Sequence, residues 1–247
     1  MENRHFNVIV IGENPELIME KYDLNKNVSP YIVYKFKDAA KYKEQRIHFC
    51  EEAINSKIDT ELIEYFKEEL EYVKGLSDMD FYVELTEDYV LDEKTGDAMS
   101  NKNPNGKYDS CNIAKRFAIP FVLKDGTETY SARKSEIDWG KMHLYNRKPY
   151  EIAWDTVMEH KVPENDDEKQ IYENMKERSF YFSSFGDRET YVNTCTAFWG
   201  YAFVDENNWV ELDEKTSQLE WVNSFYDKFI KNLPGNTLIT IFECIRK

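Results

Sequence analysis

The sequence lacks the short motifs that mark common nucleotide and metal sites. Gly12 follows the first apolar run, but neither G-x-G-x-x-G nor G-x-x-x-x-G-K-[ST] occurs. The four histidines form no H-E-x-x-H pair. The acidic segment Asp92–Asp97 lacks the ligand spacing of a calcium loop, and a turn with a glycine exit explains it better. We therefore predict no cofactor and no metal site.

Features of secreted and membrane proteins are also missing. No apolar stretch approaches the length of about 18 residues that spans a bilayer, and the N-terminal residues have no signal-peptide pattern. The four cysteines form no C-x-x-C pair and no dense disulfide framework. We expect a cytoplasmic protein with reduced thiols. Cys195 and Cys244 lie in apolar runs typical of structural thiols, so Cys111, near Lys115-Arg116, is the best candidate for a reactive one.

Basic residues are scarce relative to acidic ones, with 32 Lys and Arg against 47 Asp and Glu and a net charge of -15. Such a surface repels nucleic acids and anionic membranes, which excludes direct binding to them by the average surface. Two interpretations remain. The charge keeps the chain soluble, or it binds a basic partner, such as the nucleic-acid groove of another protein.

The composition indicates a globular protein, because 41% of the residues are hydrophobic and 15% are aromatic. Its 247 residues allow one large domain or two small ones. The patterns predict strands over His5–Gly12, Tyr31–Phe36, Asp80–Leu85, Ala118–Leu123, Thr190–Val204, Trp209–Leu212 and Thr237–Ile245. They predict helices over Asp38–Asn55, Asp59–Lys74, Ser135–Asn146, Tyr150–His160, Asp167–Arg178 and Ser217–Leu233.

These elements predict a single α+β domain over residues 1–247, with a mixed or antiparallel sheet and helices on one face. A helical hairpin near residues 36–75 forms an insertion, and residues near 86–117 form a long loop. The C-terminal hairpin, helix and strand resemble half of a ferredoxin-like fold. We expect His5–Gly12 to be the neighbouring strand of the same sheet.

Two polar segments, Asn103–Asp109 and Ser131–Trp139, carry or adjoin the basic side chains that suit a small anion. Lysine and arginine side chains hold phosphate or carboxylate groups, and an aromatic ring stacks on a base. A structural interpretation accounts for most of the second segment, because Ser135 caps a helix there. The candidate ligand-binding residues are Lys107, Tyr108, Asp109, Arg116, Arg133 and Lys134.

Acidic runs provide the candidates for a basic partner. With 47 carboxylates in the chain, the sequence singles out no acid–base pair, so we assign no catalytic residue and favour a protein that is not an enzyme. The candidate partner-binding residues are Glu164, Asp166, Asp167, Glu168, Asp205 and Glu206.

Three segments resemble an uncharacterised family of bacteriophage and prophage proteins. Asn103–Asp109 (NPNGKYD) is similar to the family's N-P-x-S-K-W-D, and Ala132–Trp139 (ARKSEIDW) to A-R-K-G-D-I-D-W. Leu233–Cys244 (LPGNTLITIFEC) is similar to L-P-D-D-T-L-L-T-V-V-D-C, and the opening His5–Gly12 run also matches. The resemblance spans most of the chain and implies a viral or prophage origin, without implying a reaction.

The chain departs from this family at several places, including a reduced Trp-Gly before and after the long loop. The family's Gly-Gly is Ala114-Lys115 here, and its final Cys-His is Cys244-Ile245. Any catalysis that depended on those groups would be lost in this chain.

Three functions agree with these observations. The first is a phage-encoded accessory protein in the cytoplasm of an infected or lysogenic bacterium. It would bind and inhibit a host defence component, as an anti-CRISPR-like inhibitor of a nucleic-acid-binding enzyme that acts by acidic mimicry. The second is a nucleotide-binding protein, or an enzyme acting on an anionic metabolite. The third is a structural phage protein.

Overall fold

The computed structural model describes residues 4–56, 60–115, 118–145, 147–213 and 215–246. The chain divides into two compact units. Unit 1 comprises Met1–Leu24 and Asn105–Lys247, and unit 2 comprises Asn25–Pro104 and is inserted between them in sequence. Both helices and mixed sheets are present, which confirms the α+β class. Among the described residues, no helix has the length and apolar character needed to cross a membrane.

The element bounds are as follows. The strands are β1 (Arg4–Ile11), β2 (Asn27–Tyr34), β3 (Val90–Leu91), β4 (Ala98–Lys102), β5 (Ser110–Ile113), β6 (Phe121–Val122), β7 (Glu128–Thr129), β8 (Ser131–Arg133), β9 (Ala202–Val204), β10 (Trp209–Glu211) and β11 (Leu238–Arg246). The helices are α1 (Pro15–Glu20), α2 (Ala39–Asn55), α3 (Thr60–Gly75), α4 (Asp78–Leu85), α5 (Trp139–Met142), α6 (Arg147–Val157), α7 (Asp166–Met175), α8 (Ser179–Ser183), α9 (Arg188–Thr196) and α10 (Gln218–Phe225). A π-helical turn, Tyr226–Ile230, continues α10.

The main sheet of unit 1 has the strand order β10-β9-β1-β11-β5, and β8 pairs with the other end of β11. Strand β1 runs antiparallel to β11 over its whole length, from Arg4 opposite Arg246 to Ile11 opposite Ile239. It runs parallel to β9. The prediction that the first and last strands are neighbours is therefore confirmed. The predicted C-terminal order of hairpin, helix and strand is also confirmed.

The two faces of this sheet carry different cores, because successive side chains of a strand point to opposite sides. On one face Ile9 and Ile11 pack in a cluster with Phe225 of α10. On the other, Val8 and Val10 pack in a cluster that includes Ile18 and Met19 of α1. Burial on both faces explains why the first strand is a continuous apolar run.

A third core in unit 1 is formed by helices α6 to α9. Its buried members include Trp154, Phe182, Tyr191 and Val192. Residues Thr190–Val204 were predicted as one extended strand. This prediction is wrong for most of the segment, because its first part belongs to α9, which ends at Thr196, and β9 covers only its last three residues. The Asp187 side chain caps α9 by accepting the Thr190 amide proton, and tertiary packing of Tyr191 then outweighs the β-propensity of the segment.

Two further sequence predictions were wrong for reasons of capping. Asp80–Leu85 was predicted as a strand and belongs to α4, because the Ser77 side chain accepts the Asp80 amide proton. The predicted helix Ser135–Asn146 is reduced to the short α5, which is capped by Asp138 rather than Ser135. Residues 134–136 form a turn instead, and Ile137 makes a β-bridge to Leu123.

Unit 2 contains a three-stranded sheet in the order β2-β4-β3 and the helices α2, α3 and α4. The predicted helical hairpin is α2 and α3, and Asp59 at its joint lies outside the described residues. The predicted long loop of residues 86–117 is wrong, because it contains β3, β4 and β5. The buried Tyr82 of α4 joins helix and sheet, since its hydroxyl accepts the Ala98 amide proton at 3.1 Å.

Candidate functional site

Three candidate ligand-binding residues of the first polar segment make structural contacts in unit 1. The Lys107 ammonium group lies 2.9 Å from a Glu211 carboxylate oxygen on β10. The Tyr108 side chain is only 5% exposed, and its hydroxyl donates to the Met19 carbonyl at 2.8 Å. Burial raises the pKa of this phenol well above its ordinary value. The Asp109 amide donates to the Ile245 carbonyl. The Tyr108 ring is therefore part of a core and not free to stack on a ligand.

The second segment ties the end of the main sheet together. The Arg133 guanidinium forms a bidentate pair with the Glu13 carboxylate and also donates to the Asn236 carbonyl at 2.8 Å. The Lys134 ammonium group donates to the Lys231 and Leu233 carbonyls, both at 2.6 Å, just beyond the π-helical turn that continues α10. Cations at this end of a helix satisfy carbonyls that have no helical partner. Arg116 lies outside the described residues.

The predicted acidic candidates belong to two different elements of unit 1. Asp166, Asp167 and Glu168 occupy the first turn of α7, where carboxylates stabilise the positive end of a helix. The Asp205 carboxylate accepts the amide protons of Asn207 and Asn208 and thereby shapes the β9–β10 turn. The Glu206 carbonyl accepts a hydrogen bond from the Lys21 ammonium group. Local structure explains the positions of Glu168 and Asp205. Asp166 and Asp167 are exposed, so their charges can be removed in a control variant.

None of the cysteines whose pKa is shifted has the lowered pKa of an activated thiol. Cys111 and Cys244 are cross-strand neighbours with their sulfur atoms 2.9 Å apart. Burial raises the pKa of the Cys244 thiol and also that of Cys195, despite hydrogen bonds from Tyr181 and Tyr191 to the latter. A thiol that stays protonated is a poor nucleophile.

An exposed apolar surface in unit 2 was missed by the sequence analysis. Leu62, Tyr65 and Tyr72 on α3 are 50%, 54% and 55% exposed. Their spacing of three and seven residues places them on one side of the helix, and we call them the α3 stripe. The signal was present in the sequence, because α3 carries more apolar residues than one buried face accommodates.

Aromatic rings connect the α3 stripe to the neighbouring helices of unit 2. The Phe66 ring lies 5.4 Å from Tyr65 and 5.7 Å from the half-exposed Phe49 on α2, measured between centroids. The Tyr72 hydroxyl donates to a Glu84 carboxylate oxygen on α4 at 2.6 Å, and this hydrogen bond raises the pKa of Tyr72. The exposed aromatic surface therefore continues from α3 onto α2, and Glu84 of α4 borders it.

Glutamates border the α3 stripe. Helix α3 contains five glutamates and two lysines. Glu64 and Glu68 are exposed, lie one turn apart, and line a shallow depression of about 390 Å³ together with Tyr65. Neither carboxylate forms an ion pair with another residue of the described ranges. The surface thus combines apolar rings with two carboxylates that form no ion pair with a described residue.

Comparisons with known proteins assign no role to this surface, so its role is inferred from its geometry. No protein-family model, curated protein or solved structure matches the chain. Within the described ranges, no group of three His, Cys, Asp or Glu side chains is placed to hold a metal ion. The arrangement of the α3 stripe suits recognition of another macromolecule, because aromatic side chains supply most of the binding energy at protein interfaces.

Proposed function

We propose that the chain is a phage-encoded accessory protein that binds and inhibits a nucleic-acid-binding enzyme of host defence. Its binding surface is the α3 stripe together with Glu64 and Glu68. The choice of a host defence enzyme follows from the resemblance to bacteriophage proteins. The observation that carries the binding role is the exposure of the stripe beside two glutamates that form no ion pair within the described part of the chain.

Exposed apolar side chains are concentrated in unit 2. Ten of the sixteen large hydrophobic side chains that are exposed among the described residues lie there, although the unit spans only residues 25–104. Burial of one such side chain stabilises a complex by about 1.5–3 kcal/mol, and the chain alone does not gain this energy. Contiguous exposed patches of this kind mark interaction sites.

Charge determines which partner fits. Residues 25–104 contain 18 acidic and 11 basic side chains, so the surface around the stripe is negative. Negative groups at an interface accelerate association with a positive surface and disfavour neutral or acidic partners. Proteins that bind nucleic acids present clustered lysine and arginine side chains. An acidic surface with protruding rings therefore suits such a groove better than a membrane or a nucleic acid.

The proposal is tested by affinity capture with the purified full chain from the bacterial host. We expect a nucleic-acid-binding protein to be retained at low salt and released at about 1 M salt, where the Debye length falls to about 3 Å. Added DNA should displace the chain from this protein, because both occupy the same basic surface. Capture should also reduce the partner's nuclease or nucleic-acid-binding activity.

A double variant, Leu62→Ser/Tyr65→Ser, controls for capture by general acidity, because it retains every charge. We expect it to lose the partner while it keeps wild-type helicity by circular dichroism. Retention of the same protein by both chains would contradict the proposal, as would a captured partner that DNA does not displace.

A further inference from the structure

A large cleft in unit 1 has a lining unlike the rest of the chain. It has a volume of about 1360 Å³. It lies between the first residues of strand β1, in the main sheet, and the helices α6 to α9. This exceeds the roughly 300–1,000 Å³ of pockets that bind drug-sized ligands. The sheet side includes Arg4, Phe6 and Tyr201, and the helical side includes Arg178 and Tyr181.

Carboxylates are missing from this lining. Asp and Glu account for 47 of the 247 residues of the chain, yet none of the 25 described residues that line the cleft is acidic. Three of the 25 can carry positive charge, namely Arg4, His5 and Arg178. In a protein of net charge -15 this is a locally positive cavity, which attracts anions.

Aromatic rings are enriched in the same lining. Eight of its 25 residues are aromatic, compared with 15% of the whole chain. The Arg4 guanidinium lies 5.3 Å from the Tyr201 ring centroid, and the Tyr201 and Phe6 centroids are 5.0 Å apart. Tyr181, on the helical side, is 47% exposed and its ring packs edge-on against Phe185. Partly exposed rings beside cations suit a ligand that has both a planar ring and a negative charge.

One buried hydroxyl in the lining has only a weak partner. The Tyr191 side chain is fully buried, and its hydroxyl makes no regular hydrogen bond with a described residue, with only the Cys195 sulfur, a weak acceptor, beside it. A poorly satisfied buried hydroxyl costs up to about 1–3 kcal/mol, so its retention needs an explanation. A ligand atom that accepts a hydrogen bond would provide it.

The chemistry of the lining points to binding rather than covalent reaction. The thiol nearest to Tyr191 is Cys195, and burial raises its pKa, so it stays protonated. The cations and the tyrosine hydroxyl can hold an anion, but they provide no activated nucleophile.

We propose that this cleft binds a nucleotide, a mono- or dinucleotide whose phosphate pairs with Arg4 and Arg178 and whose base packs on the exposed rings. The Tyr191 hydroxyl donates to the ligand. This site is separate from the α3 stripe, and it does not depend on the function proposed for that surface.

Calorimetric titration of the full chain with AMP, with the dinucleotide pApA and with adenosine tests the site. We expect both anions to bind and uncharged adenosine to bind at least about tenfold more weakly, the effect of losing one charged hydrogen bond. Arg178→Gln should weaken AMP binding by a similar factor. Lys169→Gln, which removes the same charge from the exposed part of α7, should leave binding unchanged.

Tyr191→Phe separates a ligand role from a structural one. Because the hydroxyl has only the weak Cys195 acceptor in the folded chain, its removal should preserve or raise the melting temperature, while AMP binding weakens by about tenfold. Leu62→Ser/Tyr65→Ser should bind AMP like the wild type. The proposal is overturned if no nucleotide binds at millimolar concentration, if adenosine binds as well as AMP, or if Tyr191→Phe and Arg178→Gln both bind AMP normally.

Discussion

Cys111 and Cys244 lie directly opposite each other on β5 and β11, with their sulfur atoms in contact at 2.9 Å. The Ala114 amide donates to the Ile241 carbonyl, so the alternation of an antiparallel pair makes Cys111 and Cys244 a non-hydrogen-bonded pair. Their Cα atoms are then about 4.5 Å apart, within the range that a disulfide spans. The two thiols are reduced, and their positions already suit a disulfide bond between them.

We predict that mild oxidation of the purified protein joins these two cysteines. The bond closes a loop between residues 133 positions apart, which by chain entropy raises the free energy of unfolding by up to about 5 kcal/mol. Thiol titration should fall by two groups, and urea unfolding should shift to higher concentration. Cys111→Ser should prevent both changes. Four thiols still reactive in the oxidised, unfolded protein would contradict the prediction.

Gly106→Ala should destabilise unit 1. Backbone hydrogen bonds from Lys107 to Tyr22 and from Leu24 to Tyr108 bring the two segments together, and a Cβ on Gly106 would lie 2.8 Å from the Leu24 Cα. We expect a loss of about 1–3 kcal/mol in urea unfolding. Gly75→Ala is the matched control, since its Cβ would meet no atom within 4 Å and should change stability by less than about 1 kcal/mol. Equal effects of the two substitutions would refute the close approach.

Tyr108→Phe should reduce stability rather than ligand binding. The change removes one of the two hydrogen bonds to the Met19 carbonyl, which keeps the one from the Tyr22 amide, at a cost of about 0.5–1.5 kcal/mol measured by urea unfolding. Because burial raises the pKa of Tyr108, its phenol should stay protonated at a pH where exposed tyrosines ionise. In ultraviolet titration at that pH, the folded wild type and the folded variant should therefore show the same number of ionised tyrosines. The variant should show one ionised tyrosine fewer only when both proteins are unfolded. An unchanged unfolding midpoint would contradict this role.

Asp155 should make the helical part of unit 1 sensitive to acid. Burial opposes its charge, but hydrogen bonds from Arg188 at 2.6 Å and Lys161 at 3.0 Å outweigh burial and lower its pKa. A lowered pKa stabilises the fold above the ordinary value of about 3.9, and this contribution is lost as the pH falls through the folded value. Asp155→Asn should therefore cost about 1–2 kcal/mol at neutral pH. The difference from wild type should shrink below about pH 4, and a constant difference would exclude the ion pairs as its cause.

The elements that could be predicted from sequence are those whose local and tertiary preferences agree. Strands β1 and β11 are apolar runs buried on both faces, and α2, α3 and α10 have regular apolar spacing. Residues 188–196 disagree, because their β-forming side chains are placed in a helix by the Asp187 cap and by burial of Tyr191. Such a helix is decided by partners on α6 and α8 that no local pattern identifies.

The candidate sites were harder to predict, because sequence does not show which residues pair over long distances. Arg133 meets Glu13 across 120 residues, and Lys107 meets Glu211 across 104. The sequence suggested each cation as a ligand for an anion, whereas its carboxylate partner in the fold depends on the strand order of the sheet. The α3 stripe was visible as surplus apolar residues, yet only the packing of α2 against α3 shows which side stays exposed.

The most direct test of the proposed interaction surface compares two charge-matched double variants for affinity to the captured partner. Glu64→Gln/Glu68→Gln removes two charges beside the α3 stripe, and Asp166→Asn/Asp167→Asn removes two from the exposed turn of α7. The dissociation constant should rise by about tenfold or more for the α3 variant, equivalent to at least about 1.4 kcal/mol, and by less than about threefold for the α7 variant. A loss of affinity confined to the α7 variant, or equal in both, would contradict the assignment of the α3 stripe.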